Sequence, residues 1–210
     1  MIQLVIFDLD GTLVNAYPAV TKSVNFTLKE LGFPTKSLTQ VKRAVGWGDK
    51  QLIEQFVGKN LAAKALRIYR PHHLNALKKN VRFLPGAREI LKWCKKRELL
   101  LAIASNRPTK FTECILKGLG VEKEFNFVLC ADKAKRPKPN PDMLFKICRK
   151  LKVKKQQALF VGDMTIDLNC GARAGIKTVA VATGSNTKKE LNQLKPYKII
   201  TCIAQLKKIL

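Results

Sequence analysis

Phe7-Asp8-Leu9-Asp10-Gly11-Thr12 closes the first apolar run of a 210-residue chain, and the reading of this stretch decides the fold. The residues leading into it, Ile2 to Phe7, are short, β-branched and apolar, with turn residues just after. That pattern predicts a buried parallel strand. Open α/β sheets place their ligands at the C-terminal ends of strands, and here two carboxylates stand at that end. Side chains at i and i+2 of extended backbone point the same way, so Asp8 and Asp10 are expected to face one cavity. Two like charges that close persist only with a bound cation or a shared proton. Gly11 lets the backbone turn sharply behind them. The plain alternative is an Asp-rich turn, because D-x-D-G alone is only moderately specific.

Composition sets the outer limits. With 46% hydrophobic residues the chain can bury a sizeable core, as one domain with an insertion or as two small domains. The N-terminus enters a strand at once, without a charged region and an apolar signal segment. The longest apolar run, Leu99 to Ala104, falls far short of the roughly 20 residues that span a bilayer. A cytoplasmic protein without membrane contact is expected. The six cysteines are scattered and form no C-x-x-C pair, so buried reduced thiols are expected rather than a metal or redox site. The net charge is +25. Lys and Arg are spread along the whole chain, without a basic tail, which favours a Lys-rich surface over a nucleic-acid footprint. Either way the field attracts anionic substrates.

Val14 to Pro18 reads as a linker into a helix with Pro near its first turn. From Ala19 to Lys79 the pattern is helical: Val20, Val24, Leu28 and Leu31 recur at helical spacing, and Gly32-Phe33-Pro34 and Gly46-Trp47-Gly48 punctuate the segment. Strands are then expected near Leu99–Ala104, Phe127–Cys130, Leu159–Gly162, Thr178–Val181 and Ile199–Thr201. Helices alternate with them near Ala87–Lys96, Thr109–Lys117, Pro141–Leu151, Ile166–Ala174, Lys188–Leu194 and Ile203–Leu210. The alternation predicts an α/β fold, a doubly wound parallel sheet of Rossmann-like type, with a small all-helical cap inserted after the first strand. The expected division is 1–14 with 81–210 for the core and 15–80 for the cap.

Three further stretches carry chemistry. Ser105 and Asn106 directly follow the strand Leu99–Ala104, where a hydroxyl and backbone N–H groups can bind a phosphoryl oxygen; a turn or helix cap before Pro108 is the alternative. Lys138 lies in Arg136-Pro137-Lys138-Pro139-Asn140-Pro141, a loop that prolines stiffen, so its ammonium can neutralise phosphoryl charge without reorganising. A solvated lysine is the alternative, and Lys135 and Arg136 are rival cations. Asp163, in Val161-Gly162-Asp163-Met164-Thr165-Ile166-Asp167, is set to complete an oxygen-rich Mg²⁺ site with Asp8. Asp167 is read either as a partner for Lys138 or for a metal-bound water, or as a helix-N-terminal acid favoured by the dipole.

FDLDGTLV, the Ser105 position, K-P-x-P at Lys138 and G-D-x-x-x-D at Asp163–Asp167 together resemble the four ordered motifs of the haloacid dehalogenase superfamily of phosphohydrolases. DGTLVNAYPAV resembles its phosphoglycolate phosphatase-like branch, which usually carries Asp where Asn15 stands here. The resemblance implies that Asp8 is the nucleophile and Asp10 the general acid/base. It also implies that Mg²⁺ is held by Asp8, Asp163 and the Asp10 carbonyl, and that the phosphate is bound by Thr12, Ser105, Asn106 and Lys138. It implies a phosphatase acting on a small anionic phosphorylated metabolite, as a monomer or homodimer. A sugar phosphomutase and a non-catalytic nucleic-acid-binding protein are the rival readings. In the helical segment, Arg43 is the candidate reader of a second anionic group, because Arg grips a carboxylate in a bidentate fork. That makes phosphoglycolate the leading substrate; the alternative leaves Arg43 solvated and Trp47 packed.

Overall fold

The computed structural model describes all residues from Met1 to Leu210. The strands are β1 (Leu4–Phe7), β2 (Val14–Asn15), β3 (Arg82–Phe83), β4 (Leu100–Ser105), β5 (Phe127–Cys130), β6 (Ala158–Gly162), β7 (Lys177–Val181) and β8 (Lys198–Ile200). Four helices, α1 (Tyr17–Glu30), α2 (Leu38–Ala44), α3 (Asp49–Val57) and α4 (Lys59–Asn80), lie between β2 and β3. Five more alternate with the later strands: α5 (Ala87–Lys96), α6 (Thr109–Gly118), α7 (Asp142–Lys150), α8 (Thr165–Ala174) and α9 (Lys188–Gln193).

Six strands form a parallel sheet in the order β5-β4-β1-β6-β7-β8. Helices cover both faces, so alternate residues of one strand enter different apolar clusters. Val5, Phe7, Leu101, Ile103, Leu159 and Val161 face one cluster, whereas Leu4, Ile6, Ala102, Ala104, Ala158 and Phe160 face the other. Burial on both sides explains why these strands read as continuous apolar runs. The chain leaves β1 toward β4 and leaves β6 toward β7. The crossovers thus diverge between β1 and β6, which is where such sheets open a ligand crevice.

The helical segment carries a cluster of its own, built on Val20, Val24, Leu28, Val41, Leu52, Ile53 and Tyr69. Its two connections to the sheet pair as antiparallel strands, Val14 with Phe83 and Asn15 with Arg82. The expected linker at Val14–Asn15 is therefore half of a two-stranded pair, too short to show a strand period. The helix expected over Ile203–Leu210 is instead a 3₁₀ turn over Ile203–Lys208. No helix is long and apolar enough to cross a membrane.

Candidate active site

β1 delivers Asp8 to the sheet's C-terminal edge, where its N–H donates to the Val161 carbonyl of β6 at 2.8 Å. Gly11, at φ +81°, turns the chain away, and Asp8 and Asp10 line the same cleft. From β6, Asp163 enters beside Asp8, and Asp167 follows in the first turn of α8. One carboxylate oxygen from each of Asp8, Asp163 and Asp167 lies within 4.8 Å of the others, and all three residues are buried.

Lys138 is buried among them. Its Nζ donates to Asp8 Oδ1 at 2.5 Å and to Asp167 Oδ1 at 2.7 Å. Burial works to lower its pKa, but the carboxylates of Asp167 and Asp8 outweigh burial and the net shift is upward. Asp8 is pushed up to about 7, by burial first and then by Asp167, against the pull of Lys138. Burial and the charges of Asp8 and Asp167 also raise Asp163 well above the carboxylate range. With all three ionised, three negative charges face one ammonium, and two remain uncompensated in a low-dielectric pocket. A divalent cation has the matching charge, and clustered carboxylates are the oxygen donors it takes. The donor set fits Mg²⁺.

Asp163 is held from several sides. Its Oδ1 accepts from the Thr12 hydroxyl at 2.8 Å, and its Oδ2 accepts from the Tyr17 hydroxyl at 3.5 Å and from the Ser185 N–H at 3.4 Å. A β-carbon at Gly184 would overlap the Asp163 carboxyl, so this close approach needs glycine. Asp167 serves both roles open to it: its Oδ2 accepts from the Met164 N–H at the start of α8, and its Oδ1 accepts from Lys138.

Several expected placements change. Thr12 is fully buried, and its hydroxyl is spent on Asp163 rather than turned to the cleft. Asn106 clamps backbone: its Nδ2 donates to the carbonyls of Gly46 and Lys138, and its Oδ1 accepts from the Lys138 N–H. It fixes the Lys138 loop and ties it to the turn after α2, leaving no side-chain donor for a phosphate. Ser105 does line the cleft. Its Oγ accepts from the Arg107 N–H, and its own hydrogen is left for a ligand. The Asp10 carboxylate is not part of the metal cluster, because Arg107 holds both of its oxygens.

Arg43 does not reach the cleft. Its guanidinium forks onto Glu190 at 2.7 and 3.0 Å and donates to the Ser185 carbonyl, joining the helical segment to the sheet domain's surface. Its side chain is 49% exposed, and Coulomb attraction to a neighbouring carboxylate has set its direction. Trp47 is 47% exposed rather than packed. Of the rival cations, Arg136 is paired with Asp142 at the surface.

Three cleft residues escape a reading of motifs: Tyr17, His73 and Arg107. Arg107 follows Ser105-Asn106 directly, and the chain's two histidines are adjacent. Adjacency to a motif and scarcity were the available signals.

A protein-family model described as haloacid dehalogenase-like hydrolase matches residues 5–181. A phosphoglycolate phosphatase of Pseudomonas syringae pv. tomato is 31% identical over 213 residues, spanning 97% of this chain and 78% of that protein. One from Nitrosococcus oceani is 26% identical and covers 99% and 96% of the two chains. A crystal structure from Haemophilus somnus 129PT, described as a predicted phosphoglycolate phosphatase, superposes with a TM-score of 0.95 at 29% identity, covering 99% of this chain and 97% of that one. On these likenesses the chain is a phosphoric monoester hydrolase that belongs to the haloacid dehalogenase-like hydrolases.

Proposed function

We propose that the protein is a Mg²⁺-dependent phosphatase that hydrolyses a small phosphate monoester, phosphoglycolate or a close analogue, through an aspartyl-phosphate on Asp8. The observation that carries this reading is the buried group of Asp8, Asp163 and Asp167 around Lys138, at the point where the sheet's crossovers diverge. The names of the relatives support the substrate class.

Asp8 Oδ1 is fixed by Lys138, whereas Oδ2 accepts no hydrogen bond from the protein. Oδ2 is the free nucleophile and attacks phosphorus in line with the leaving oxygen. The bond from phosphorus to that oxygen breaks, and Asp10 gives the oxygen its proton. Water then attacks the acyl phosphate, Asp10 takes the proton back, and inorganic phosphate leaves with Asp8 restored. Ser105 donates its hydroxyl to a phosphoryl oxygen, and Lys138 holds positive charge beside the reacting group without reorganising. Mg²⁺, held by Asp8, Asp163 and the Asp10 carbonyl, would offset repulsion between the carboxylates and the phosphoryl oxygens. The segment 15–80 serves as a cap over this chemistry, hinged at the paired strands β2 and β3.

Chelation tests this reading. EDTA is expected to remove phosphatase activity, and added Mg²⁺ to restore it. Metal should also raise the melting temperature of the EDTA-treated protein, because a ligand that binds only the folded state stabilises it. Full turnover in EDTA would overturn the metal assignment.

A further inference from the structure

The cleft holds two cations, Lys138 and Arg107. Lys138 is committed to Asp8 and Asp167. Arg107 lies on the other side of Asp10. Its Nε donates to Asp10 Oδ2 at 2.7 Å and its Nη2 to Asp10 Oδ1 at 2.8 Å. Its Nη1 meets His73 Nε2 at 2.7 Å. A guanidinium has no lone pair to offer, so His73 Nε2 accepts and its hydrogen sits on Nδ1. That Nδ1 faces Ser23 Oγ at 3.2 Å, and the Ser23 hydroxyl donates to the Ala19 carbonyl. The imidazole is buried, stacked on Tyr69 and met edge-on by Phe111. Burial and the Arg107 charge keep it neutral, with its pKa lowered to about 2.

Arg107 is therefore anchored from outside by the helical segment and from inside by the proposed acid/base. Three of its five N–H donors are spent, and one on each Nη remains.

We propose that Arg107 reads a carboxylate on the substrate, offering it the N–H donors that Asp10 and His73 leave free; this rests on the phosphatase reading above. Asp10 addresses the leaving oxygen. In an ester whose carboxylate carbon is two bonds from that oxygen, the carboxylate falls beside whatever cation touches Asp10. An incoming carboxylate takes up those donors as a charged acceptor, and a neutral hydroxymethyl group in its place does not. The substrate class is a small phosphate monoester with a carboxylate one carbon from the ester oxygen. The apolar walls at Tyr69, Phe111 and Leu52 limit its size.

The test compares 2-phosphoglycolate with 2-hydroxyethyl phosphate, a neutral ester of similar size, in wild type, Arg107→Gln and Arg107→Lys. The readout is the ratio of kcat/KM for the two substrates. It is expected to fall about 10- to 100-fold in Arg107→Gln, as the loss of a charged hydrogen-bonding partner implies, mainly through KM for the carboxylate. Arg107→Lys should recover part of the ratio, since a point charge remains without the fork. An unchanged ratio, with both esters slowed alike, would overturn the proposal and leave Arg107 as a structural link between Asp10 and His73. If Arg107→Gln fails to fold, the lysine variant decides: its ratio must still drop. A wild type that hydrolyses neither ester would bring down the phosphatase reading, and this proposal with it.

Discussion

Asp8→Asn is expected to abolish phosphatase activity, by roughly 10⁴- to 10⁶-fold, as the removal of a nucleophile does elsewhere. The amide is nearly isosteric but cannot attack phosphorus as a carboxylate does. The fold should persist, because the substitution removes a charge from a crowded cluster rather than opening a cavity. The pH dependence of stability separates this from simple damage. In the metal-free protein Asp8 has its pKa raised from 3.8 to about 7. A carboxyl raised by folding stabilises the native state below its unfolded pKa, and that contribution is lost as pH climbs through the folded one. Metal-free wild type should thus lose more stability between about pH 4 and pH 7 than Asp8→Asn does, in which the raised Asp163 still titrates. Circular dichroism melts across that range, beside a nitrophenyl phosphate assay, check both halves. A variant that keeps full activity would remove Asp8 from the mechanism.

Asp10→Asn should slow turnover by about 10² to 10⁴, the usual contribution of a positioned acid/base group. The loss should depend on the leaving group. An aryl phosphate releases a weakly basic oxygen that needs little protonation, so its first step should suffer less than that of an alkyl phosphate. Metal affinity should change little, because the Asp10 carboxylate lies on Arg107 and outside the acidic cluster. Steady-state rates on alkyl and aryl esters, with Mg²⁺ titrations beside them, give the comparison. Equal losses on both esters would count against the acid role.

The central strands were legible in the sequence because burial on both faces makes each a short, nearly unbroken apolar run. Phe127–Cys130 emerges with its expected bounds, and the other sheet strands shift by one or two residues. The loops at the strand ends were legible too, since Asp8, Ser105, Lys138 and Asp163 all fall in recognisable local contexts and do gather at one edge. What stayed hidden was decided by contacts across long sequence separations. Arg43 meets Glu190 across 147 positions, and no spacing announces that pair. Arg107 is one of 40 basic residues, so its type alone carries no signal, and its role follows from Asp10 and His73 converging on it. Thr12 and Asn106 were identified as polar groups near the site, but which way each hydrogen bond runs depends on neighbours that only the fold supplies. The paired strands β2 and β3 are two residues long, below the length at which alternation can be read.

The most direct measurement of the account is to catch the covalent intermediate. Asp10→Asn, turning over nitrophenyl phosphate with Mg²⁺, should form the acyl phosphate readily and hydrolyse it slowly, because the leaving group needs little acid and the attacking water has lost its base. Quenching in acid during turnover and mapping peptides by mass spectrometry should place one phosphoryl group on Asp8. A phosphoryl group on any other residue, or sustained turnover in which Asp8 is never modified, would contradict the mechanism.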